Sequence, residues 1–539
     1  MKKNISLLAF FTILLFTSCD NNDNVTKEEQ TTNKVKINND LNSLNKRLDY
    51  SNSGVLSLIN TSTTKKTVSS TNDFPLVQIA EINPPVDNNG KTLQANHVAV
   101  NENYAYVAYT MSGDTYSGAI DVIDITDPYK PKLVTSALIS NTDITSLVYS
   151  NGNLIIAGAT DIDKDSSISH PSIVINMQLS SGLLTDKFTI NTLEGKVTTD
   201  VISNSVSYFA TTGDQGNLYK INSSTKQIIN KTALEDLRSL AINGDKIVTL
   251  SGTKGVNVYN ESNLTLQKTF STSADVSGAK RTIDFDGQKL LVSEGYNGLG
   301  VYDINSGSKL QTIELMNSGE DNVTNAVSVN NGYAFVANGA AGLNVYKSGT
   351  QLTLLGTVDI EGSSNYVKSS GDFIYVASGK GGLKIIKKEK ENTTFASCEQ
   401  YSTYNQGKDL ILNSNEIKSF SGSTAINSVI VNSGGIFTHC GAITIQNSLI
   451  LNSGSTFNMR GTLAQGKYQQ SNPTELIINS NALLQIEGSV VIWGDLRLNS
   501  GAKINFIGNN SSITIYGKVT KNSNVTITGN YTDTENKLK

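Results

Sequence analysis

The chain has little of what most catalytic sites are built from. Its 539 residues include only three histidines and three cysteines, and neither an HExxH nor a GxSxG pattern occurs. A long basic tract is also missing and the net charge is −4, so nucleic acid is a poor partner. The segment GTLAQGKY (461–468) imitates a phosphate-binding loop, but Tyr468 stands where Ser or Thr must bind Mg²⁺. These absences exclude the commonest hydrolase and nucleotide-binding signatures.

The first residues predict export and lipid anchoring. A positive start is followed by an apolar run, 5–16, that is too short to span a bilayer comfortably. Thr17 and Ser18 before Cys19 resemble the lipobox of bacterial lipoproteins, although Phe16 replaces the usual Leu. This resemblance implies a signal peptide over 1–18 and a diacylated Cys19 that holds the protein in a membrane. The alternative is a plain secretory peptide.

The acidic segment CDNNDN (19–24) resembles the tag that sends some lipoproteins to the outer face of Gram-negative cells. The predicted location is therefore the outer membrane, exposed at the cell surface. Residues 19–73 are polar with few apolar positions, which predicts a disordered tether without a core of its own.

Residues 74–390 contain a sevenfold repeat. Each copy reads as a strand, a tight Asn, Gly or Asp turn and a second strand, followed by a third strand and usually a fourth. The seven hairpins are 97–109, 146–158, 199–211, 238–252, 281–295, 326–339 and 366–379. Four strands in 40–50 residues are typical of propeller blades. The last copy lacks its fourth strand, and 75–82 has the pattern to supply it, so the sequence predicts a closed seven-bladed β-propeller.

The stretch GAIDVIDITDPYKPKLV (118–134) identifies the type of repeat. Since residues 74–390 contain no Trp, WD repeats are disfavoured. The DVIDITDP segment ahead of PKLV resembles the LVIVD-repeat family of bacterial surface propellers, closely in the first blade and loosely elsewhere. The resemblance implies a fold and a surface location but no chemistry. Asp121 and Asp124 are expected on a half-exposed strand, as part of the repeat.

Residues 397–539 repeat differently. An apolar-x-apolar-Asn-Ser motif places asparagines at 413, 432, 452, 479 and 499, mostly 19 or 20 residues apart. This period predicts a single-stranded parallel β-solenoid (β-helix) whose asparagines stack at one bend. Cys398 and Cys440 lie about two turns apart, so a disulfide between them requires a capping loop that folds back.

The propeller channel is the candidate binding site. Alignment of the seven hairpins brings the following residues to one equivalent position at the mouth of the channel: His97, Ser146, Thr199, Arg238, Arg281, Ala326 and Tyr366. With Asn325 beside Ala326, this set suits an anionic, peptide or glycan ligand. The alternative is that neighbouring strands or solvent satisfy these side chains.

Three further features have two interpretations each. Asp161, Asp163 and Asp165 alternate as in a calcium loop, but the loop lacks a closing acid and also fits a solvated hairpin. Asp495 and Arg497 share a strand face, as in polysaccharide-active β-helices or a surface ion pair. Ile411, Ile430, Ile450 and Ile477 form either an outward stripe that needs a cover or a core.

The sequence therefore predicts an all-β, lipid-anchored surface protein that binds or adheres, without an assigned catalytic residue. The alternatives are a surface polysaccharide-active enzyme and a structural scaffold of an envelope complex. No cofactor is predicted apart from the calcium alternative.

Overall fold

The computed structural model describes most of the chain from residue 34 onward. The described residues are 34–50, 52, 54–56, 58–60, 67–68, 74, 76–127, 130–274, 276, 279–315, 319–388, 401–467, 472–507, 510–538 and the pair 27–28. Helix is confined within them to one α-turn and two 3₁₀ turns: Leu41–Leu44, Asn45–Arg47 and Ile162–Lys164. None of the described helices has the length or apolar character to cross a membrane. The predicted signal peptide and Cys19 lie outside these residues.

Seven antiparallel sheets form the propeller, each with its first strand at the channel. Blades 1 and 2 consist of Gln94–Val100, Tyr104–Thr110, Ser117–Asp124 and Lys132–Ser140, then Thr142–Ser150, Asn153–Thr160, Ser172–Ser180 and Leu183–Thr192. Blades 3 and 4 consist of Thr198–Ser203, Ser207–Thr212, Asn217–Asn222 and Ile228–Ala233, then Leu237–Asn243, Lys246–Ser251, Gly255–Asn260 and Leu266–Phe270. Blades 5 and 6 consist of Ile283–Asp286, Lys289–Ser293, Leu299–Asp303 and Lys309–Ile313, then Ala326–Asn330, Tyr333–Ala337, Leu343–Lys347 and Thr353–Val358.

The seventh blade closes the ring as predicted. It consists of Tyr366–Ser370, Phe373–Ala377, Leu383–Lys388 and, from the other end of the propeller sequence, Leu76–Ile82. Leu383 pairs with Ile82 and Lys388 with Leu76 in antiparallel register. This pairing removes the open edge that the last repeat would otherwise expose.

The polar segment before the propeller differs from the predicted tether. Residues 34–60, called here the N-terminal strap, extend the outer edges of blades 1, 7 and 6 with short antiparallel strands. These strands are Val35–Asn38, Leu48–Asp49, Gly54–Leu56 and Ile59–Asn60. Two further short strands lie outside the strap: Lys27–Glu28 pairs with blade 2, and Thr67–Val68 pairs with Ile59–Asn60 of the strap. The polar composition of this segment did not predict the docking, because main-chain hydrogen bonds to the outer strand of a blade need few apolar side chains.

Two contacts anchor the strap to the first blade. Leu44 is buried, and the Arg47 guanidinium forms an ion pair with both carboxylate oxygens of Asp121. Asp121 is fully buried rather than half-exposed, and the Arg47 side chain of the strap packs on its carboxylate. An acid of the repeat is therefore a structural group of the strap contact.

The outer edges of blades 3, 4 and 5 gain no strand from the described part of the chain. Each of these edge strands carries one lysine, Lys231, Lys268 or Lys309. Lysine on an edge opposes pairing with another chain. The propeller thus protects its edges by two different means.

The C-terminal residues form the predicted solenoid, with two parallel sheets around one core. The narrower sheet contains Asp409–Leu412, Ser428–Val431, Leu449–Leu451, Glu475–Ile478, Asp495–Leu498 and Val519–Lys521. The wider sheet contains Ile417–Ile426, Ile436–Ile445, Thr456–Gln465, Leu483–Ile492, Lys503–Phe506, Ser511–Ile515, Thr526–Thr528 and Tyr531–Asp533. The strands alternate buried and outward side chains, so the apolar positions of the repeat fill the core.

Two columns of identical residues stabilise the turns. Side-chain amides of Asn452, Asn479 and Asn499 each donate to the asparagine one turn earlier, at 2.9, 3.1 and 2.7 Å. This asparagine ladder was predicted; it continues to Asn522 rather than back to Asn413. Glycines occupy one corner of four successive turns in register: Gly422, Gly441, Gly461 and Gly488.

Cys440 lies in the wider sheet and is disulfide-bonded. The other two cysteines, Cys19 and Cys398, lie outside the described residues. Ser421 pairs with Cys440 in parallel register. On its other side, Ser421 forms an isolated parallel bridge with Thr403. The predicted relation between Cys398 and Cys440 involves a residue outside the described part of the chain and stays a prediction.

The solenoid packs against the strap and the first and last blades. Trp493, the single tryptophan of the chain, is buried in a cluster that includes Tyr50 of the strap and Ile79 of blade 7. The rings of Trp493 and Tyr50 lie 5.9 Å apart, and Trp493 stacks on Tyr516 at 4.4 Å. Lys130 adds an ion pair to Glu535 at 2.9 Å. The strap is thus part of the contact between the two domains.

Candidate functional site: the mouth of the propeller channel

A β-bulge near the start of the innermost strands determines which side chains face the channel. The hairpin register slips by one residue at Asn96, Thr145, Thr199 and Arg238 in blades 1 to 4. The positions equivalent to His97 and Ser146 in blades 3 and 4 are therefore Asp200 and Ser239. The bulged residues face the mouth, while the residues after them face the interior.

The mouth pocket is a cavity of about 650 Å³ at the side of the channel where the innermost strands begin. Its cations are Arg238, Lys280 and Lys380. Amide and hydroxyl side chains complete much of its wall: Gln94, Asn96, Thr145, Thr199, Asn325, Ser363 and Asn365. Among the described residues that line the pocket, none is acidic and none is aromatic. The pocket is therefore positively charged and rich in hydrogen-bond donors.

Lys280 crosses from the loop before blade 5 to the opposite side of the channel. Its ammonium group donates to the carbonyl oxygens of Asn96 at 2.9 Å and Thr145 at 2.5 Å, in blades 1 and 2. It also lies 5.0 Å from the centre of the Tyr366 ring. Burial lowers the pKa of Lys280 to about 8, and the nearby Asp200 carboxylate opposes that shift. This lysine separates the mouth pocket from the space below it.

The inner chamber is a smaller cavity of about 330 Å³, lined by His97, Asp200, Asp284, Tyr366 and Lys368, among others. His97 stacks on Tyr366 at 4.0 Å between ring centres. Burial, together with the nearby Lys280 and Lys368, holds the pKa of His97 well below its usual value. His97 is therefore a neutral imidazole at physiological pH.

The hydrogen bonds of His97 run in one direction. The backbone N–H of Leu147 donates to Nδ1 at 3.4 Å, so Nε2 carries the proton and donates to Ser146 Oγ at 3.2 Å. Ser146 in turn donates to Asp200 Oδ1 at 2.6 Å. A histidine that donates to a serine cannot remove its proton, so this trio is not arranged as a nucleophile with its general base.

Most polar side chains of the inner chamber connect neighbouring blades. Asp200 accepts from the N–H of Leu240 at 3.0 Å, and Asp284 accepts from the N–H of Val329 at 2.7 Å. His97 makes the same kind of contact to Leu147. Innermost strands have unpaired N–H groups on their channel side, and these side chains satisfy them. In the inner chamber, these polar side chains are therefore satisfied by neighbouring strands, which was the alternative to ligand binding.

The predicted funnel residues occupy three different places. His97 and Tyr366 line the inner chamber, whereas Arg238 and Asn325 line the mouth pocket. Arg281 lines neither, because its side chain is fully buried and donates from Nε to the carbonyl oxygen of Ser293 at 3.1 Å. Counted back from the hairpin turn, the positions equivalent to His97 in blades 3, 4 and 5 are Asp200, Ser239 and Thr282, so the hairpin alignment was wrong by one residue there. Ligand binding by these residues stays a prediction.

The described structure gives the calcium alternative no support. No group of three potential ligands that could hold a metal occurs among the described residues. Asp161, Asp163 and Asp165 surround a 3₁₀ turn in which Asp161 accepts from the Asp163 N–H, and Asp165 accepts from Lys34 and Ser167. Carboxylates used in this way do not converge on one point, so the solvated hairpin interpretation applies.

The two solenoid features have different outcomes. Arg497 pairs with Glu475 of the preceding turn, and Asp495 accepts from the N–H of Lys518 at 2.7 Å. Asp495 and Arg497 therefore each have a structural partner. The isoleucine stripe does face outward: Ile411, Ile430, Ile450 and Ile477 are in register on successive turns, and Ile411 is 53% exposed.

Sequence reasoning missed the most important cations of the mouth pocket. Lys280 directly precedes the fifth hairpin, and Lys380 lies in the Gly-rich turn after the seventh. Both lie outside the segments that repeat, so an alignment restricted to the hairpins omits them. The sequence signal that could have identified Lys280 and Lys380 is a basic residue in a loop at the mouth end of a blade.

Together, the seven closed blades and the stacked turns define the class: a seven-bladed β-propeller followed by a parallel β-solenoid. Within the propeller, 94–138 and 361–386 match the LVIVD repeat family model, which confirms the resemblance seen in the sequence. No curated protein matches the chain.

Solved propellers resemble the chain in fold. The WD40 β-propeller domain of Doa1 shares 13% identity with a TM-score of 0.44, over 58% of this chain and 97% of that one. The WD40 repeats of RRP9 share 13% identity with a TM-score of 0.44, over 56% of this chain and 96% of that one.

Proposed function

We propose that this protein is a lipid-anchored binding protein of the cell surface and that its mouth pocket binds anionic groups of a glycan or peptide ligand. The fold favours a binding or scaffold role. The single observation that carries the proposal is the pocket's composition. Arg238, Lys280 and Lys380 meet there with amides and hydroxyls, and none of the described residues that line the pocket is acidic; Arg238 also pairs with Asp236, outside the lining, at 3.1 Å.

The wall chemistry also narrows the ligand class. Sugar rings are usually held by stacking on aromatic faces, and the described lining has none. Carboxylate, sulfate and phosphate groups need N–H and O–H donors instead, which the pocket supplies. The proposed ligand is therefore recognised by its charge rather than by an apolar face.

Two observations support an extracytoplasmic location. Thr17, Ser18 and Cys19 follow an apolar run as in lipoproteins. Cys440 is disulfide-bonded, and stable disulfides belong to oxidising compartments. In cells that express the chain, labelled palmitate is expected in the wild type and absent from Cys19→Ala. An unlabelled wild type contradicts the anchor.

The binding proposal is tested by titrating the soluble fragment 20–539 with uronic-acid, sulfated and neutral oligosaccharides and acidic peptides. We expect saturable binding of anionic probes only. Arg238→Gln and Lys380→Gln should each weaken it about tenfold, the loss of one charged hydrogen bond. Lys196→Gln is the matched control, because Lys196 is an exposed lysine outside the pocket. Equal binding of neutral probes, or new reducing ends in the same incubation, contradicts the proposal.

The isoleucine stripe favours scaffolding in an envelope complex as a second candidate function. Its four side chains lie on consecutive turns of one sheet, Ile411 exposed and the other three half-buried, and outward apolar patches commonly mark contact surfaces. Ile430→Asp should release the protein from a detergent-extracted envelope complex without affecting anion binding. Unchanged co-migration with the complex argues against this role.

A further inference from the structure

The Lys280 amine has an unusual set of partners for a lysine inside a protein. Within hydrogen-bond distance its described partners are two backbone carbonyl oxygens, of Asn96 and Thr145. A buried lysine is usually compensated by a carboxylate. Here the described structure contains no ion pair to Lys280 within 4.0 Å, and the Asp200 carboxylate is instead occupied by Ser146, Val201 and Leu240.

Two carbonyl acceptors suit a neutral amine as well as an ammonium group. A neutral amine has two hydrogens, so it can donate to both carbonyls and keep its lone pair unshared. Burial shifts Lys280 towards this neutral form near physiological pH, with a pKa of about 8. Desolvation is one of the ways in which proteins turn lysine into a nucleophile.

The surroundings of the amine select what can reach it. Lys280 lines the mouth pocket together with Arg238 and Lys380, and the cavity is large enough for a ligand of about twenty non-hydrogen atoms. Lys380 and Arg238, which also pairs with Asp236 at 3.1 Å, are the other basic groups that can hold a negatively charged molecule beside the amine. A molecule with both an anionic group and an electrophilic carbonyl therefore fits the pocket.

We propose that Lys280 is a covalent attachment site for small anionic aldehydes, which it captures as Schiff bases in the mouth pocket. The inference rests on the proposed anion binding. The Nζ lone pair bonds to the aldehyde carbon. The carbonyl oxygen then leaves as water, together with the two amine hydrogens released from Asn96 and Thr145, and a C=N bond remains. No oxidant or reductant takes part.

Pyridoxal 5′-phosphate is a suitable probe, since it carries an aldehyde and a phosphate. The soluble fragment 20–539 is incubated with it at pH 7.5, reduced with borohydride and analysed by peptide mass spectrometry. We expect Lys280 to be labelled at least about tenfold faster than exposed Lys196, because each unit by which a pKa is lowered gives tenfold more neutral amine. Pyridoxal without the phosphate should label Lys280 more slowly, and Arg238→Gln should remove that difference.

Citrate separates this inference from the proposed function. Protection of Lys280 by citrate supports both. Citrate binding that Arg238→Gln abolishes, without preferential labelling of Lys280, leaves the anion pocket standing and overturns the reactive amine. Fast labelling that citrate does not affect overturns the role of the anion pocket in capture. Lys280→Arg, checked for folding by circular dichroism, must lose the label while Lys196 keeps it.

Discussion

A buried ion pair links the strap to blade 1, in addition to the strand pairing of Val35–Asn38 and the burial of Leu44. Asp121 is fully buried, and Arg47 is its charged partner. Removal of one member of such a pair leaves an uncompensated charge, which costs about 3–5 kcal/mol. We therefore expect Arg47→Met to lower the free energy of unfolding of the propeller by about that amount.

Chemical denaturation followed by circular dichroism measures the effect. Lys196→Met is the control, because Lys196 and Asp214 are 80% and 64% exposed and such pairs contribute less than about 1 kcal/mol. The double variant Arg47→Met/Asp121→Asn should recover part of the loss, since the stranded charge is gone. If Arg47→Met and Lys196→Met lower the free energy of unfolding equally, the pair of Arg47 and Asp121 has no structural role.

The charge of Lys280 predicts a pH dependence of ligand binding. Its lowered pKa, about 8, means that the cation disappears as pH rises through that value, whereas an ordinary lysine stays charged. Affinity for a non-aldehyde anion such as citrate should therefore fall between pH 7 and pH 9. In Lys280→Met the affinity should be weaker at pH 7 and nearly constant over the same range.

Isothermal titration at constant ionic strength checks this prediction. The same lysine affects stability in the opposite direction. Since the unfolded chain retains the proton up to about pH 10.5, deprotonation favours the folded state between pH 8 and pH 10.5. An affinity loss that persists in Lys280→Met would assign the titration to another group.

At the scale of the element, Gly461 shows why one turn of the solenoid corner tolerates no side chain. Gly461 has φ +126°, and a Cβ there would lie 2.1 Å from the carbonyl oxygen of Gly441. Gly454 also has a positive φ, +72°, but a Cβ there meets nothing within 4 Å. Gly461→Ala should therefore destabilise the solenoid by more than about 2 kcal/mol and Gly454→Ala by about 1 kcal/mol.

Thermal unfolding of the two variants checks that order. The comparison tests the close backbone approach of Gly461 together with its less favourable φ, +126° against +72° for Gly454. A Gly454→Ala loss equal to or larger than that of Gly461→Ala contradicts the explanation by contact.

The same scale explains what the sequence predicted well. Blade number, ring closure and the asparagine ladder follow from periodicity, since each repeat must satisfy the same hydrogen bonds. The position of Arg281 was predicted less well, since its side chain is buried and lines neither cavity, whereas Arg238 does line the mouth pocket. The bulge at Arg238 turns that side chain towards the mouth pocket and Ser239 towards the interior, and nothing in the pattern of apolar residues marks it. The strap was missed because it docks through its main chain onto edges that only the folded propeller provides.

At the scale of the whole molecule, the single tryptophan reports on the contact between the domains. Trp493 is 6% exposed and belongs to a cluster with Tyr50 of the strap and residues of blades 1 and 7. Tyr50 also donates from its hydroxyl group to the carbonyl oxygen of Pro131 at 2.8 Å. The strap therefore contacts both partners, and its removal should separate the solenoid from the propeller.

Deletion of 34–60 should shift the emission of Trp493 to longer wavelength, because water then reaches the indole ring. Tyr50→Ala should give a smaller shift in the same direction. Ile411→Ser is the control, since Ile411 lies on the outward stripe and is already exposed. An unshifted spectrum after deletion, with the propeller still folded by circular dichroism, would show that the domains hold each other without the strap. If the shift occurs, the segment that leads towards the proposed membrane anchor also fixes the orientation of the solenoid on the propeller.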